Sequence, residues 1–197
     1  MAERYDAVAA YFQRSLEALG RAAGDRALHE SVLAMADAVT QALRAGGKVL
    51  IAGNGGSAAD AQHIAAELLS RFAREREALP AIALTDPAVL TAIGNDYTFE
   101  HVFERQVRGL GRRGDVFVAL STSGTSPNVL AALAAARELG LITIGFTGTR
   151  GNALRVLCDH CLVAPSDETA VIQQIYMTAA HAICNEVERG LGGTPGA

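Results

Sequence analysis

The chain is short of cysteine: three in all, an odd number, so a disulfide framework of the secreted kind is excluded. It also lacks any apolar run near the roughly 20 residues of a membrane span. Its first residues, MAERYDAVAAYFQRSLEALG, are amphipathic and partly acidic, unlike a secretory signal. Neither sign of charge is in excess: 17 basic and 21 acidic residues leave a formal −4, which makes no electrostatic case for nucleic acid or an anionic membrane. Internal repeats, low-complexity stretches and dividing linkers are missing as well. These absences leave the expectation of a soluble, cytoplasmic, globular protein. Its 197 residues fit one domain with a substantial core.

What is present turns on residues 48–72, KVLIAGNGGSAADAQHIAAELLSRF. Lys48 to Ala52 has strand length, Gly53-Asn54-Gly55-Gly56-Ser57 is a glycine turn, and Ala58 to Phe72 reads as a helix. This order puts a helix N-terminus at the carboxyl edge of a sheet, where free N–H groups and the helix dipole favour an anion. Ser57 is expected to cap the helix, with Asp60 completing a capping-box-like arrangement. The turn matches neither GxGxxG nor GxxxxGK[ST], so neither nucleotide-binding fingerprint is indicated. A ligand turn facing an anion and an ordinary strand–helix turn both stay open. On the same helix His63 and Glu67 are four residues apart and share a face. That spacing suits two metal ligands, an acid and a base, or a plain solvated pair.

Ahead of this stretch, 4–22 and 26–46 read as two helices. The second has a 3.6-period face of Val32, Leu33, Met35, Ala36, Val39 and Leu43. Such a hairpin needs the sheet or another subunit to cover it. After the stretch come a short strand, Ala81 to Leu84, one or two helical turns over Asp86 to Ile93, and Gly94-Asn95-Asp96-Tyr97. A helix from Phe99 to Leu110, a strand from Asp115 to Leu120 and a helix from Val129 to Leu139 follow. Strands Ile142 to Phe146 and His160 to Ala164 precede a long helix, Thr169 to Gly190, and the tail GGTPGA is expected to fray. Strands alternating with helices predict a parallel sheet with covered faces.

A second ligand loop stands out at Ser121 to Ser126, between a strand buried on both faces and a helix start. Hydroxyls and free N–H groups there form a neutral cradle for phosphate without a lysine. Ser126-Pro127 also fits an N-cap followed by proline at the first helical position. Two anion-suited turns at the carboxyl ends of strands are what a sugar-phosphate site needs. Other features carry less. Cys158-Asp-His-Cys161 has no second cysteine pair and reads as structural, and Cys184 reads as core. The run from Arg71 to Glu77 resembles a solvated helix end.

Taken together, GNGGSAADAQHIAAEL, TAIGNDY, GDVFVALSTSGTSPNVLAA, IGFTG and the IQ of VIQQ, with His181 beyond, resemble the sugar isomerase (SIS) superfamily. Within it the likeness is to the sedoheptulose 7-phosphate isomerases, and it runs from about residue 4 to residue 190. The resemblance implies an α/β, three-layer, flavodoxin-like SIS fold: one domain over 1–197, with a helical hairpin at 1–47 and an α/β core with its C-terminal helix at 48–190. It implies a homotetramer with active sites at subunit contacts, acting on a small sugar phosphate. The implied reaction converts sedoheptulose 7-phosphate to D-glycero-D-manno-heptose 7-phosphate through a cis-enediol. Carried over by position, Ser121, Thr122, Ser123 and Ser126 would hold the phosphate. Asn54, Gly55, Gly56, Ser57, Asn95, Asp96 and Gln173 would line the sugar, with Arg71 nearby. Glu67 and His181 match the acid–base pair, and His63, Glu67, Gln173 and His181 match a zinc site, one ion per subunit. Gln173 and His181 are eight residues apart, about 12 Å along a helix and about 80° out of phase, so they need long reach, a helix start near Gln173, or different subunits to share an ion. Gln174 and Tyr176 depart from the family's IQExH pattern. Two rivals remain: an isomerase of another ketose phosphate, and a non-catalytic regulator that binds a replication-initiation protein, which would be expected to lack Glu67 and His181.

Overall fold

The computed structural model describes residues 2–195. Two helices lead, α1 (Ala2–Gly24) and α2 (Arg26–Arg44), broken where the Asp25 side chain accepts a hydrogen bond from the Leu28 N–H and caps α2. Then come β1 (Val49–Gly53), α3 (Gly56–Leu69), β2 (Arg74–Glu75), β3 (Ala81–Ala83), α4 (Pro87–Asp96), a 3-10 turn at Phe99–His101 and α5 (Glu104–Leu110). The second half holds β4 (Val116–Leu120), α6 (Pro127–Leu139), β5 (Ile142–Thr147), α7 (Asn152–Arg155), β6 (His160–Val163), α8 (Thr169–Gly190) and β7 (Thr194–Pro195).

Five strands form one parallel sheet in the order β3-β1-β4-β5-β6. Every residue of β1 and β4 is buried, as a strand covered on both faces requires. Alternation sorts them: Val49, Ile51, Val118 and Leu120 pack toward α2, α3 and α8, while Leu50, Ala52, Phe117 and Ala119 pack toward α5 and α6. Three layers and the flavodoxin-like strand order follow, as expected. In that order the crossovers leave β1 and β4 in opposite directions, so a crevice opens at their carboxyl ends. Gly53 pairs with Leu120, so Asn54 and Ser121 leave the sheet at the same height.

The differences from the sequence reading are local. Helix α3 begins at Gly56 rather than Ala58, because Gly55 takes φ +57 and turns the chain into the helix early. Ser57 therefore lies inside the helix and does not cap it; no side chain does. The helix expected over Phe99 to Leu110 splits into the 3-10 turn and the short α5. Leu33, expected on the buried face of α2, is 52% exposed. The tail does not simply fray: Thr194–Pro195 pairs antiparallel with Arg74–Glu75, while residues 196–197 lie outside the described residues.

Candidate functional site

At the crevice the two turns are locked to each other. Asn54 and Asn128 form a reciprocal amide pair, each Nδ2 donating to the other's Oδ1 at 2.9 Å. Asn128 is buried and also accepts its neighbour Val129's N–H. The sequence reading missed this residue; the signal was an amide in the first turn of a helix opening on the crevice. Asn54, Phe99, Glu100, Ser126, Pro127 and Asn128 line an open cleft of about 280 Å³.

The loop from Ser121 to Ser126 is folded on its own hydroxyls. Ser121 Oγ accepts the Gly124 N–H at 3.1 Å and meets Ser126 Oγ at 3.0 Å, and Ser123 Oγ accepts from Thr125 N and Oγ1 at 3.2 and 3.1 Å. Ser126 occupies the N-cap position of α6, but its hydroxyl is spent on Ser121, so it does not cap as expected. Gly124 takes φ +66, and a Cβ there would collide with the Cα of Gly151, so the loop lies flat against the start of α7. The N–H groups of Thr122, Ser123 and Ser126 have no partner in the chain among the described residues. Free N–H groups beside a helix N-terminus are an anion cradle.

Helices α3 and α8 run side by side in the same direction with a steady register. Ser57 meets Tyr176 and Gln173, His63 meets His181, and residues 72–74 meet Glu188, always 114 to 119 positions apart. At the top, Ser57 Oγ lies 2.5 Å from the Tyr176 hydroxyl and 3.5 Å from Gln173 Nε2. Tyr176 is fully buried, and burial pushes its hydroxyl up to about 12. Burial likewise raises Asp60, against the opposing pull of His63 and the Tyr176 hydroxyl. Gln173 closes on the backbone: a Cβ at Gly56 would come within 2.6 Å of its Nε2. Thr169, at the start of α8, faces Thr122 across 3.5 Å.

Lower on the same helix pair, His63, Glu67 and His181 bring one ligand atom each within 4.8 Å of one another. His63 Nε2 is 3.0 Å from Glu67 Oε1, and the two imidazoles meet edge to face at 5.1 Å. Phe72 stacks on the other side of His181 at 5.3 Å. His181 Nε2 is buried with no partner among the described residues, an orphan that asks for an ion or a ligand. Two imidazoles and a carboxylate are a donor set that suits zinc, so the three residues fit the expected group.

A buried ion pair braces this cluster. Glu188 has no exposed side-chain surface; it accepts the N–H groups of Phe72, Ala73 and Arg74 and pairs with Arg76 at 3.2 Å. Burial alone would raise the carboxyl, but those three bonds and the guanidinium outweigh it and hold Glu188 below the ordinary range. Arg76 in turn donates to the carbonyls of Glu67, Ser70 and Glu77. Neither residue stood out in the sequence.

The site residues thus fall into two groups. Asn54, Gly55, Gly56, Ser57, Ser121, Thr122, Ser123, Ser126 and Gln173 gather at the crevice. Along α3 from Gly56, His63 lies seven residues and Glu67 eleven residues on, about 10 and 16 Å along the axis, with His181 beside them on α8. Side chains leaning toward the helix N-terminus recover part of that distance only. Gln173 places its amide against Gly56 and 3.5 Å from Ser57 Oγ, and α8 is continuous past it, so no helix break lies between Gln173 and His181. Arg71 is farther still, exposed and paired with Glu75 at 3.0 Å. Asn95 and Asp96 bond each other at the end of α4 and neither group.

Comparison with known proteins bears on these groups. Residues 10–148 match the SIS domain family. The chain is 58% identical over 187 residues, 94% of each chain, to the phosphoheptose isomerase of Bradyrhizobium sp. (strain BTAi1 / ATCC BAA-1182). Among solved structures it is similar to a phosphoheptose isomerase from Neisseria gonorrhoeae, with 44% identity, a TM-score of 0.88, and 94% of this chain and 98% of that one covered. One from Francisella tularensis gives 39% identity and a TM-score of 0.90 at the same coverage.

Proposed function

Because the chain belongs to the SIS domain family and, within it, to the phosphoheptose isomerases, we propose that it works through a site closed between two subunits. It is a sugar-phosphate isomerase of heptose biosynthesis, converting D-sedoheptulose 7-phosphate to D-glycero-D-manno-heptose 7-phosphate. The observation that carries the two-subunit reading is the separation of the halves. An extended seven-carbon chain spans at most about 9 Å from C1 to C7 at about 1.5 Å per bond. With its phosphate in the Ser121–Ser126 cradle, the sugar's C1 meets Glu67 of a facing chain in this reading. A facing chain supplies His63, Glu67, Arg71 and His181, and Gln173 meets them from the cradle's side.

The surface supports association. On α1, Tyr5, Val8, Phe12 and Leu16 are exposed apolar side chains, and an apolar groove of about 470 Å³ lies between the hairpin and α8. A second copy covering them gives the isologous contact usual in homo-oligomers, and the assembly proposed here is a homotetramer. The chain from 1 to 197 then acts as one SIS unit, the hairpin at 1–47 serving contact and 48–190 serving chemistry.

In the closed site, Ser121, Thr122, Ser123 and Ser126 with the free loop N–H groups hold the phosphate. Asn54, Gly55, Gly56, Ser57, Asn95 and Asp96 contact the sugar. Glu67 takes a proton from C1 of the ketose and returns it to C2 of the enediol, while His181 gives a proton to O2 and takes one from O1. Phosphate binding far from C1 supplies positioning. Zinc held by His63, Glu67, His181 and the facing Gln173, one per subunit, would polarise the carbonyl and stabilise enediolate charge.

Mixed oligomers test the arrangement. Glu67→Gln removes the base, and Ser123→Glu, at an exposed position, repels phosphate. Each variant alone should be inactive in an NMR assay with sedoheptulose 7-phosphate. Co-refolded at equal ratio, about a quarter of shared sites draw both intact halves, so activity should return to that level. No recovery from verified mixed oligomers would place the site within one chain. If wild type neither isomerises nor exchanges protons with any ketose phosphate, a phosphosugar-binding module replaces the enzyme.

A further inference from the structure

The pair Cys158 and Cys161 takes no part in either half of the site. Their sulfurs converge over Gly145 of β5, 2.6 and 3.4 Å from where its Cβ would lie, so the glycine leaves the space both occupy. The turn between them is fixed in place. Asp159 Oδ2 accepts Thr143 N and Oγ1 at 2.8 and 2.9 Å, Asp159 N donates to Thr143 O and Oγ1 at 3.0 Å, and Thr143 is fully buried. Both thiols are free, and both residues are half-buried. We propose that Cys158 and Cys161 are a reversible dithiol–disulfide pair whose state sets the phosphate cradle.

The chemistry needs an oxidant of one class, a low-molecular-weight disulfide. The Cys161 thiol is lowered, first by the hydrogen bond from Cys158 and then by Arg155. The Cys158 thiol is raised, first by that same bond and then by burial. One thiolate of the pair, taken here as Cys161, attacks the reagent, forms a mixed disulfide and releases one small thiol. Cys158 then loses its proton, attacks the Cys161 sulfur, closes the internal bond and releases the second small thiol. Two electrons pass from the dithiol to the reagent, and the fixed turn keeps the second step intramolecular.

The link to the cradle is mechanical. Cys158 lies three residues past the end of α7, after Val156 and Leu157, and the Leu157 carbonyl is held by Arg137 and Thr143. At its other end α7 starts after Gly151, the residue against which Gly124 of the cradle is pressed. Closing the bond would act through Val156 and Leu157 on α7, a four-residue helix whose near end backs the phosphate loop.

The full chain incubated with glutathione disulfide and then alkylated under denaturing conditions tests this. Reduced protein should show its three cysteines alkylated, and oxidised protein one, with fragment masses placing the bond at Cys158–Cys161. Dithiothreitol should restore three, and Cys158→Ser should block closure. Inorganic phosphate, measured by calorimetry, should bind the oxidised chain several-fold more weakly, and Cys158→Ser should bind it equally before and after treatment. Three alkylated thiols after excess oxidant, or persistent glutathione adducts on wild type, overturn the pair. A closed bond with unchanged phosphate affinity overturns its control of the cradle. This last arm rests on the cradle binding phosphate; if the reduced chain binds none, the functional reading fails, and thiol counting judges the pair separately.

Discussion

At the carboxyl edge of the sheet the functional groups are backbone N–H groups and short side chains, fixed by loop closure, whereas midway down α3 they are long side chains fixed by a buried ion pair. The cradle needs no charged residue, and its shape follows from positive-φ glycine, hydroxyl bonds inside the loop and the Asn54–Asn128 lock. The His63–Glu67–His181 group depends on Glu188 and Arg76, which sit behind it and touch its backbone and the Phe72 that stacks on His181. On the proposed function, the first group would hold the phosphate still and the second would hold side chains whose protons move. Substitutions should separate the two.

The largest separation is expected from Glu67→Gln. Losing a general base lowers kcat by roughly 10²–10⁴, and deuterium uptake at C1 or C2 should fall with it. Phosphate affinity should stay within a few-fold; an equal fall would mean that the halves are not distinct. Zinc measured on the same sample tells ligand from base, because retention with lost turnover marks Glu67 as chiefly the base.

Next is Glu188→Gln, which leaves Arg76 buried without its carboxylate. Breaking one partner of a buried pair costs about 3–5 kcal/mol, so Tm should drop clearly while calorimetric phosphate binding persists below it. The carboxyl is held below its ordinary range in the folded chain, so its stabilising contribution is present above the unfolded carboxylate value. That contribution is lost as pH falls through the lowered folded value. Denaturation midpoints measured through the acid range should show this loss in wild type and its absence in Glu188→Gln.

Ser123→Ala should act on the other half alone. A hydrogen bond to a charged group is worth about 1.5–3 kcal/mol, so inorganic phosphate and substrate should both bind about tenfold more weakly or worse. Unchanged phosphate affinity in a folded variant would move the phosphate elsewhere. The smallest effect belongs to Tyr176→Phe, which keeps the buried ring but frees Ser57. A neutral hydrogen bond is worth about 1 kcal/mol, so KM should rise a few-fold with kcat unchanged. A change in kcat alone would tie Tyr176 to the reacting half.

The parallel sheet and the two turns at its carboxyl edge were legible in the sequence, because strand length, apolar runs and glycine or hydroxyl turns are local signals, whereas the strand order came with the resemblance to the family. The pairing of His63 with Glu67 was legible for the same reason, since helical spacing places them together. Glu188 and Arg76 were not, because 112 residues separate them and nothing local marks an acid that will be buried. Ser57 misled because an N-cap is inferred from the turn alone; Gly55 started the helix early, and the hydroxyl found Tyr176 instead. The distance between the two halves was hidden too, for it depends on which way each helix face points once both helices lie on the sheet.

The steady register of α3 against α8 carries a consequence for sequence change. One residue inserted within α8 between Tyr176 and His181 would turn everything beyond it by about 100° and shift it about 1.5 Å. His181 and Glu188 would then lose Glu67 and the 72–74 backbone together, while Tyr176 and Ser57 stayed paired. The same residue added in a surface turn between the two helices would leave every rung intact. Length variation should therefore be tolerated in the turns and rejected inside either helix, even at positions whose own side chains do nothing.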